Sequence, residues 1–177
     1  SAINDSSIVY SNTNGNTWTA VYKANANDVN GAVTYSIAFS DIAANAGTPV
    51  NSGSGSVTTD TSIPTLSGVS ISSNNANRSK ATPTDVVTLS FTSSETIQSP
   101  TVTFASGGAA VNGNITVSNT SGNNWTASFT AASIDTAGPA TYNISFKDTA
   151  GNSGTAVTTT TDISSVAVVI DTDLPTL

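Results

Sequence analysis

The chain contains no cysteine, no histidine and no methionine, and only 8% of its 177 residues carry charge. Without cysteine there is no disulfide, no thiolate nucleophile and no thiolate metal ligand, and the redox compartment leaves no trace. Without histidine the commonest general base and the commonest metal ligand are both missing. Glutamate occurs once, at Glu95, so a glycosidase-type carboxylate pair would need aspartate, and no spacing singles one out. Four basic residues stand against eleven acidic ones, a net charge of −7. That is too little positive charge to neutralise a run of phosphates or to hold an anionic membrane surface. No apolar run approaches the roughly 18 residues of a membrane-spanning helix. Neither nucleic acid nor membrane insertion is therefore expected, and the missing groups point away from an enzyme. No signal peptide is visible and the first residue is Ser1, which reads as a mature product or an internal piece of something longer.

Hydrophobic residues make up 37% of the chain, and serine, threonine, asparagine and glycine fill most of the rest. The apolar residues are ordered, and they repeat. Asn14-Gly-Asn-Thr-Trp-Thr-Ala20 returns as Ser121-Gly-Asn-Asn-Trp-Thr-Ala127, and Thr34-Tyr-Ser-Ile-Ala-Phe-Ser-Asp41 as Thr141-Tyr-Asn-Ile-Ser-Phe-Lys-Asp148, both 107 positions on. Ile63-Pro-Thr-Leu66 returns as Leu174-Pro-Thr-Leu177 at 111 positions, so about four residues are gained between the two sites. A fixed period of this size marks an array of like modules, which serve spacing, display or assembly more than chemistry.

The dominant period within a copy is two, the period of a strand. Val69 and Ile71, then Val87, Leu89 and Phe91, then Val102 and Phe104 alternate with small polar residues. Ile115 and Val117, then Trp125, Ala127 and Phe129, then Tyr142, Ile144 and Phe146 do the same, and a last Thr-rich strand is expected from about Thr155. Ser106-Gly-Gly108, Ser121-Gly-Asn123 and Asp148-Thr-Ala-Gly-Asn152 are the turns. Seven or so short strands, each with one apolar face, predict an all-β antiparallel sandwich. A closed barrel is the runner-up, and a parallel β-helix would need a much shorter repeat.

The predicted organisation is a partial repeat over 1–62, a complete repeat over 63–173, and the start of a next repeat or a tail over 174–177. Ser1 aligns with Gly108, so the first copy lacks the counterparts of Val69–Phe104, about three strands. The apolar faces led by Trp18 and Tyr35 then need a cover. It comes either from upstream in the parent polypeptide or from a neighbouring chain, as in strand complementation.

Asp60–Leu66, Val69–Ala76, Asp85–Glu95, Asn123–Ala127 and Asp148–Asn152, in that order and spacing, resemble the bacterial immunoglobulin-like (Big) repeats. Those repeats occur in tandem in very large bacterial surface proteins and adhesins. The resemblance covers all of the second copy and everything present of the first. It implies an immunoglobulin-like Greek-key sandwich strung end to end, secreted or held at the cell surface, with other modules doing the binding. One departure is Ile42-Ala-Ala-Asn45 where the second copy has Thr149-Ala-Gly-Asn152, which makes a tight positive-φ turn there uncertain.

In some related arrays calcium stiffens the module junctions. Asp171 and Asp173 form a plausible ligand pair, with Asp60, Asp148 and Asp41 as further carboxylates. The competing reading is that these aspartates cap turns by accepting backbone N–H bonds. No cofactor is required on either reading. Trp18 and Trp125 suit core packing better than sugar stacking, since they share a face with Ala20 and Ala127. Tyr35 and Tyr142, seven residues after Asp28 and Asp135, resemble a tyrosine corner. Lys23, Lys80 and Lys147 read as solvated, and the N-x-Ser/Thr triplets at Asn114, Asn124 and Asn143 as chance. Three functions are in view: a spacer module of a stalk, a self-assembling filament subunit completed by a neighbouring chain, and a carbohydrate- or ice-binding module using Thr158–Thr161.

Overall fold

The structure is a computed structural model that describes residues 8–162, 165 and 167–173, and among these there is no helix. The chain divides into two units, Ser1–Ser62 and Ile63–Leu177. The segment 174–177, expected to open a next repeat, lies outside the described residues.

In the first unit, β1 (Val9–Asn14) and β2 (Thr17–Val21) form a hairpin, and β3 (Gly31–Ala32) pairs with β4 (Thr58–Thr59). Gly15 turns the hairpin at φ 56°, a region where a side chain would be strained. Downstream, single antiparallel bridges join Ile37 to Val50 and Ser40 to Ala46.

The second unit carries β5 (Leu66–Ser73), β6 (Lys80–Ala81), β7 (Val86–Ser93), β8 (Thr101–Ser106), β9 (Ala109–Ala110), β10 (Thr116–Ser121), β11 (Asn124–Thr130), β12 (Gly138–Ser145) and β13 (Val169–Ile170). One sheet runs in the order β10-β11-β7-β5 and the other β6-β13-β12-β8-β9. Alternation dictates the burial: in β7 every second residue, Val87, Leu89, Phe91 and Ser93, is buried. Phe104 from one sheet meets Phe129 from the other with ring centroids 4.8 Å apart and planes tilted by 47°, which places the two apolar faces against each other. Val69, Leu89, Phe129, Ile144 and Ile170 are fully buried in that layer, each contributing about 1.5–3 kcal/mol by leaving water. The fold is an all-β sandwich.

Two expectations are corrected. The Thr-rich stretch after Thr155 is not a regular strand: Val157 exchanges both backbone hydrogen bonds with Ile144, and Thr158–Thr161 follow without strand pairing. The last strand is β13 instead, where Ile170 is buried and pairs in parallel with Ala81 of β6. The tight turn of the first copy also forms despite its missing glycine. Ala44 adopts φ 66° where Gly151 adopts φ 104°, and the hydrogen bond from the Asp41 amide to the Asn45 carbonyl (3.0 Å) matches that from Asp148 to Asn152 (3.1 Å).

Several strand pairings recur at corresponding positions. Tyr10↔Ala20 and Asn12↔Trp18 in the first hairpin match Val117↔Ala127 and Asn119↔Trp125 in the second, with the same bulge after Asn12 and Asn119. The offset remains 107 at the Ile37–Val50 and Ile144–Val157 bridges and from Gly31 to Gly138, and becomes 111 between their partners Thr59 and Ile170. The four extra residues therefore enter between Val157 and Val169.

Candidate functional site

Asp41 and Asp148 each sit where a strand segment turns back, and each carboxylate is taken up by that turn. The backbone N–H and side-chain amide of Asn45 donate to Asp41 at 2.8 and 2.9 Å. Asp148, buried in the second unit, accepts from the N–H of Gly151 (2.6 Å), the N–H of Asn152 (2.8 Å) and the Asn152 side chain (2.7 Å). Burial pushes the Asp148 carboxyl up, but the Asn152 and Gly151 donors together hold it below its ordinary value. Asp41 is lowered by the Asn45 side chain and backbone. Asp60 and Asp171 each accept the N–H two residues on, from Ser62 (3.0 Å) and Asp173 (3.1 Å), a local turn bond typical of aspartate.

Glu95, which the sequence raised only as a catalytic candidate, lies with its carboxylate within 4.8 Å of that of Asp148. Calcium takes six to eight oxygens, and these two carboxylates are the part of such a shell that the second unit brings together. Asp171 and Asp173 belong to no group of three acidic side chains among the described residues. No local signal links Glu95 to Asp148. Their proximity follows from the bridge between Ile97 and Asp148, which joins two loops far apart in sequence.

Two buried aspartates missed as structural centres are Asp28 and Asp135. The amides of Asn25 and Ala132 donate to them at the same 2.8 Å, at matching places in the two copies. Asp135 also takes the backbone N–H (2.8 Å) and side chain (3.0 Å) of Asn112, while Asp28 takes the hydroxyl of Tyr22. The tyrosine latch is thus made by Tyr22 rather than Tyr35. The hydroxyl of Tyr142 is buried without a partner, and burial raises its pKa. The recurrence of Asp at an interval of 107 was the readable signal for this pair.

The largest anomaly is apolar. Tyr35, Ile37 and Phe39 are 47%, 52% and 56% exposed, whereas Tyr142, Ile144 and Phe146 at the same places in the second unit are 8%, 0% and 6% exposed. Trp18 is 67% exposed, while Trp125 packs half-buried against the core. Core packing therefore holds for Trp125 and fails for Trp18. β11 has β10 on one edge and β7 on the other, but among the described residues β2 pairs only with β1. β12 pairs with β8 over six residues, Ala140–Ser145, while its counterpart β3 is two residues long. Trp18, Tyr35, Ile37 and Phe39 are thus large apolar side chains left in water where the second unit buries or half-buries their counterparts.

The grooves of the second unit offer little chemistry. One of about 300 Å³ is lined by Thr103, Phe104, Ala105, Ala110, Thr141 and Tyr142 among others, and it gathers no acid–base pair. Lys23, Lys80 and Lys147 are exposed. Comparison with protein-family models, with curated proteins and with solved structures finds no match.

Proposed function

We propose that the chain is a spacer: consecutive immunoglobulin-like modules, of the kind its sequence resembles in the Big repeats, that give a bacterial extracellular protein length and stiffness. The observation that carries this reading is the repetition of one hydrogen-bonding plan. The hairpin registers, the Asp41 and Asp148 turns and the Asp60 and Asp171 turns recur at corresponding positions. A site evolved for chemistry needs one specialised place, whereas a spacer needs the same place made again. The recurring Ile63-Pro-Thr-Leu66 segment supports it too, because Pro64 is fully buried at the start of the second unit and its fixed φ stiffens the entry to β5.

The test is small-angle X-ray scattering on the full chain lengthened by one, two and three further copies of residues 63–173. A spacer requires the maximum dimension to grow by a constant increment with each copy. Compact particles whose dimension rises only with the cube root of mass would reject it.

A further inference from the structure

We infer that the open face of the first unit is a docking site for one kind of occupant: a three-stranded segment with the apolar pattern of β5, β7 and β8, lying N-terminal to the face it covers. The inference stands on the repeat and does not require the spacer reading. The second unit states what covers such a face, because its own copy is covered. There β7 lies along the outer edge of β11, with Phe91 opposite Trp125, Leu89 opposite Ala127 and Val87 opposite Phe129. β8 lies along β12, with Phe104 opposite Tyr142 and Val102 opposite Ile144.

Subtracting the repeat offset gives the docking register of the first unit. Its β2 edge takes a β7-like strand whose Phe, Leu and Val fall opposite Trp18, Ala20 and Tyr22. The segment 33–38 takes a β8-like strand whose Phe and Val fall opposite Tyr35 and Ile37. Both acceptor edges are already set by pairings made on their other sides. β1 holds β2 in the same register in which β10 holds β11. The amide of Val33 bonds the Val57 carbonyl at 2.8 Å, as Ala140 bonds Val168 at 2.8 Å. Each acceptor edge is preformed, and strand addition supplies main-chain hydrogen bonds for affinity and alternate side chains for specificity.

The order of the occupant also follows from the second unit. β8 passes to β9 through Gly107 and Gly108, both at positive φ, so the covering strands stand directly before the hairpin-bearing half. A second copy of this chain is a poor donor, because its own β5, β7 and β8 are already committed to the core around Leu89 and Phe104.

The experiment joins an additional copy of residues 63–107 ahead of residue 1 of the full chain, in a Trp125→Phe background so that Trp18 is the sole indole. Expected are a blue shift of Trp18 emission, at least tenfold slower hydrogen exchange at residues 17–21 and 33–38, and a second cooperative melting transition. All three should vanish when the added copy carries L89D. The melt of the second unit, which neither change touches, reports that the chain is still folded. Unchanged Trp18 emission and exchange with the intact graft would overturn the inference. So would protection of Trp18 in the ungrafted chain that rises with concentration alongside dimers in sedimentation, since the occupant would then be a second copy.

Discussion

Gly154 packs its bare Cα against the ring of Phe146, so closely that a Cβ there would overlap two ring carbons and come within 2.8 Å of the Pro64 carbonyl. Gly47 stands in the same relation to Phe39 in the first unit. At Gly154 the missing Cβ lets the returning chain close over the buried Phe146 ring. Gly154→Ala should therefore cost about 2–3 kcal/mol by overpacking, read as a lowered urea midpoint. Gly151→Ala is the control, because its Cβ would meet nothing within 4 Å and only the φ of 104° is strained. It should cost about 1–2 kcal/mol, and a Gly154→Ala loss no larger than this would refute the packing argument.

Tyr142 keeps its ring in the core and its hydroxyl without a partner. A buried hydroxyl that bonds nothing has lost its water for no return. Tyr142→Phe should leave stability unchanged or raise it by up to about 1 kcal/mol. A clear destabilisation in chemical denaturation would mean that the hydroxyl is satisfied in solution.

The acid side of the stability curve should belong partly to Asp135. Burial pushes its carboxyl up, yet the donors from Ala132 and Asn112 hold it below the ordinary 3.8. A folded pKa below the unfolded one gives stability that is complete above the unfolded value and is lost as pH falls through the folded value. Thermal midpoints should thus hold steady down to about pH 5 and drop below about pH 4. Asp135→Asn should lower the plateau and make the acid drop shallower. A variant that melts with the same pH dependence as the parent would assign the effect to Asp85 or Asp148, whose carboxyls are also lowered.

Among the described residues of the second unit, the Glu95–Asp148 pair is where calcium is to be tested. The Asp148 oxygens already accept three hydrogen bonds from their own turn, so millimolar calcium or EDTA should leave the urea midpoint of the second unit unchanged. Binding would appear as a stabilisation growing with the logarithm of calcium concentration. Its loss in Glu95→Gln would then locate the ion.

Much of the sandwich was readable because a two-residue period has one structural meaning when each polar partner is small. Val87-Thr-Leu-Ser-Phe91 and Trp125-Thr-Ala-Ser-Phe129 became β7 and β11 as the alternation requires. The Thr158–Thr161 run misled because β propensity reflects packing on a sheet, and Thr161 meets β5 only through Val69, its N–H donating to the Val69 carbonyl and its hydroxyl accepting the Val69 N–H, with no ladder formed. Val168 and Ile170 were overlooked because their burial depends on Ser79–Ala81, some ninety residues earlier.

Ala20 and Ala127 sit in nearly the same words, Asn-Thr-Trp-Thr-Ala and Asn-Asn-Trp-Thr-Ala, and form the same hairpin in the same register. Up to that point local sequence decides everything, since turn chemistry and alternation act over a few residues. Yet Ala127 is fully buried and Ala20 is exposed. Burial is a property of what stands opposite, so only the tertiary structure could separate a buried core from an exposed face.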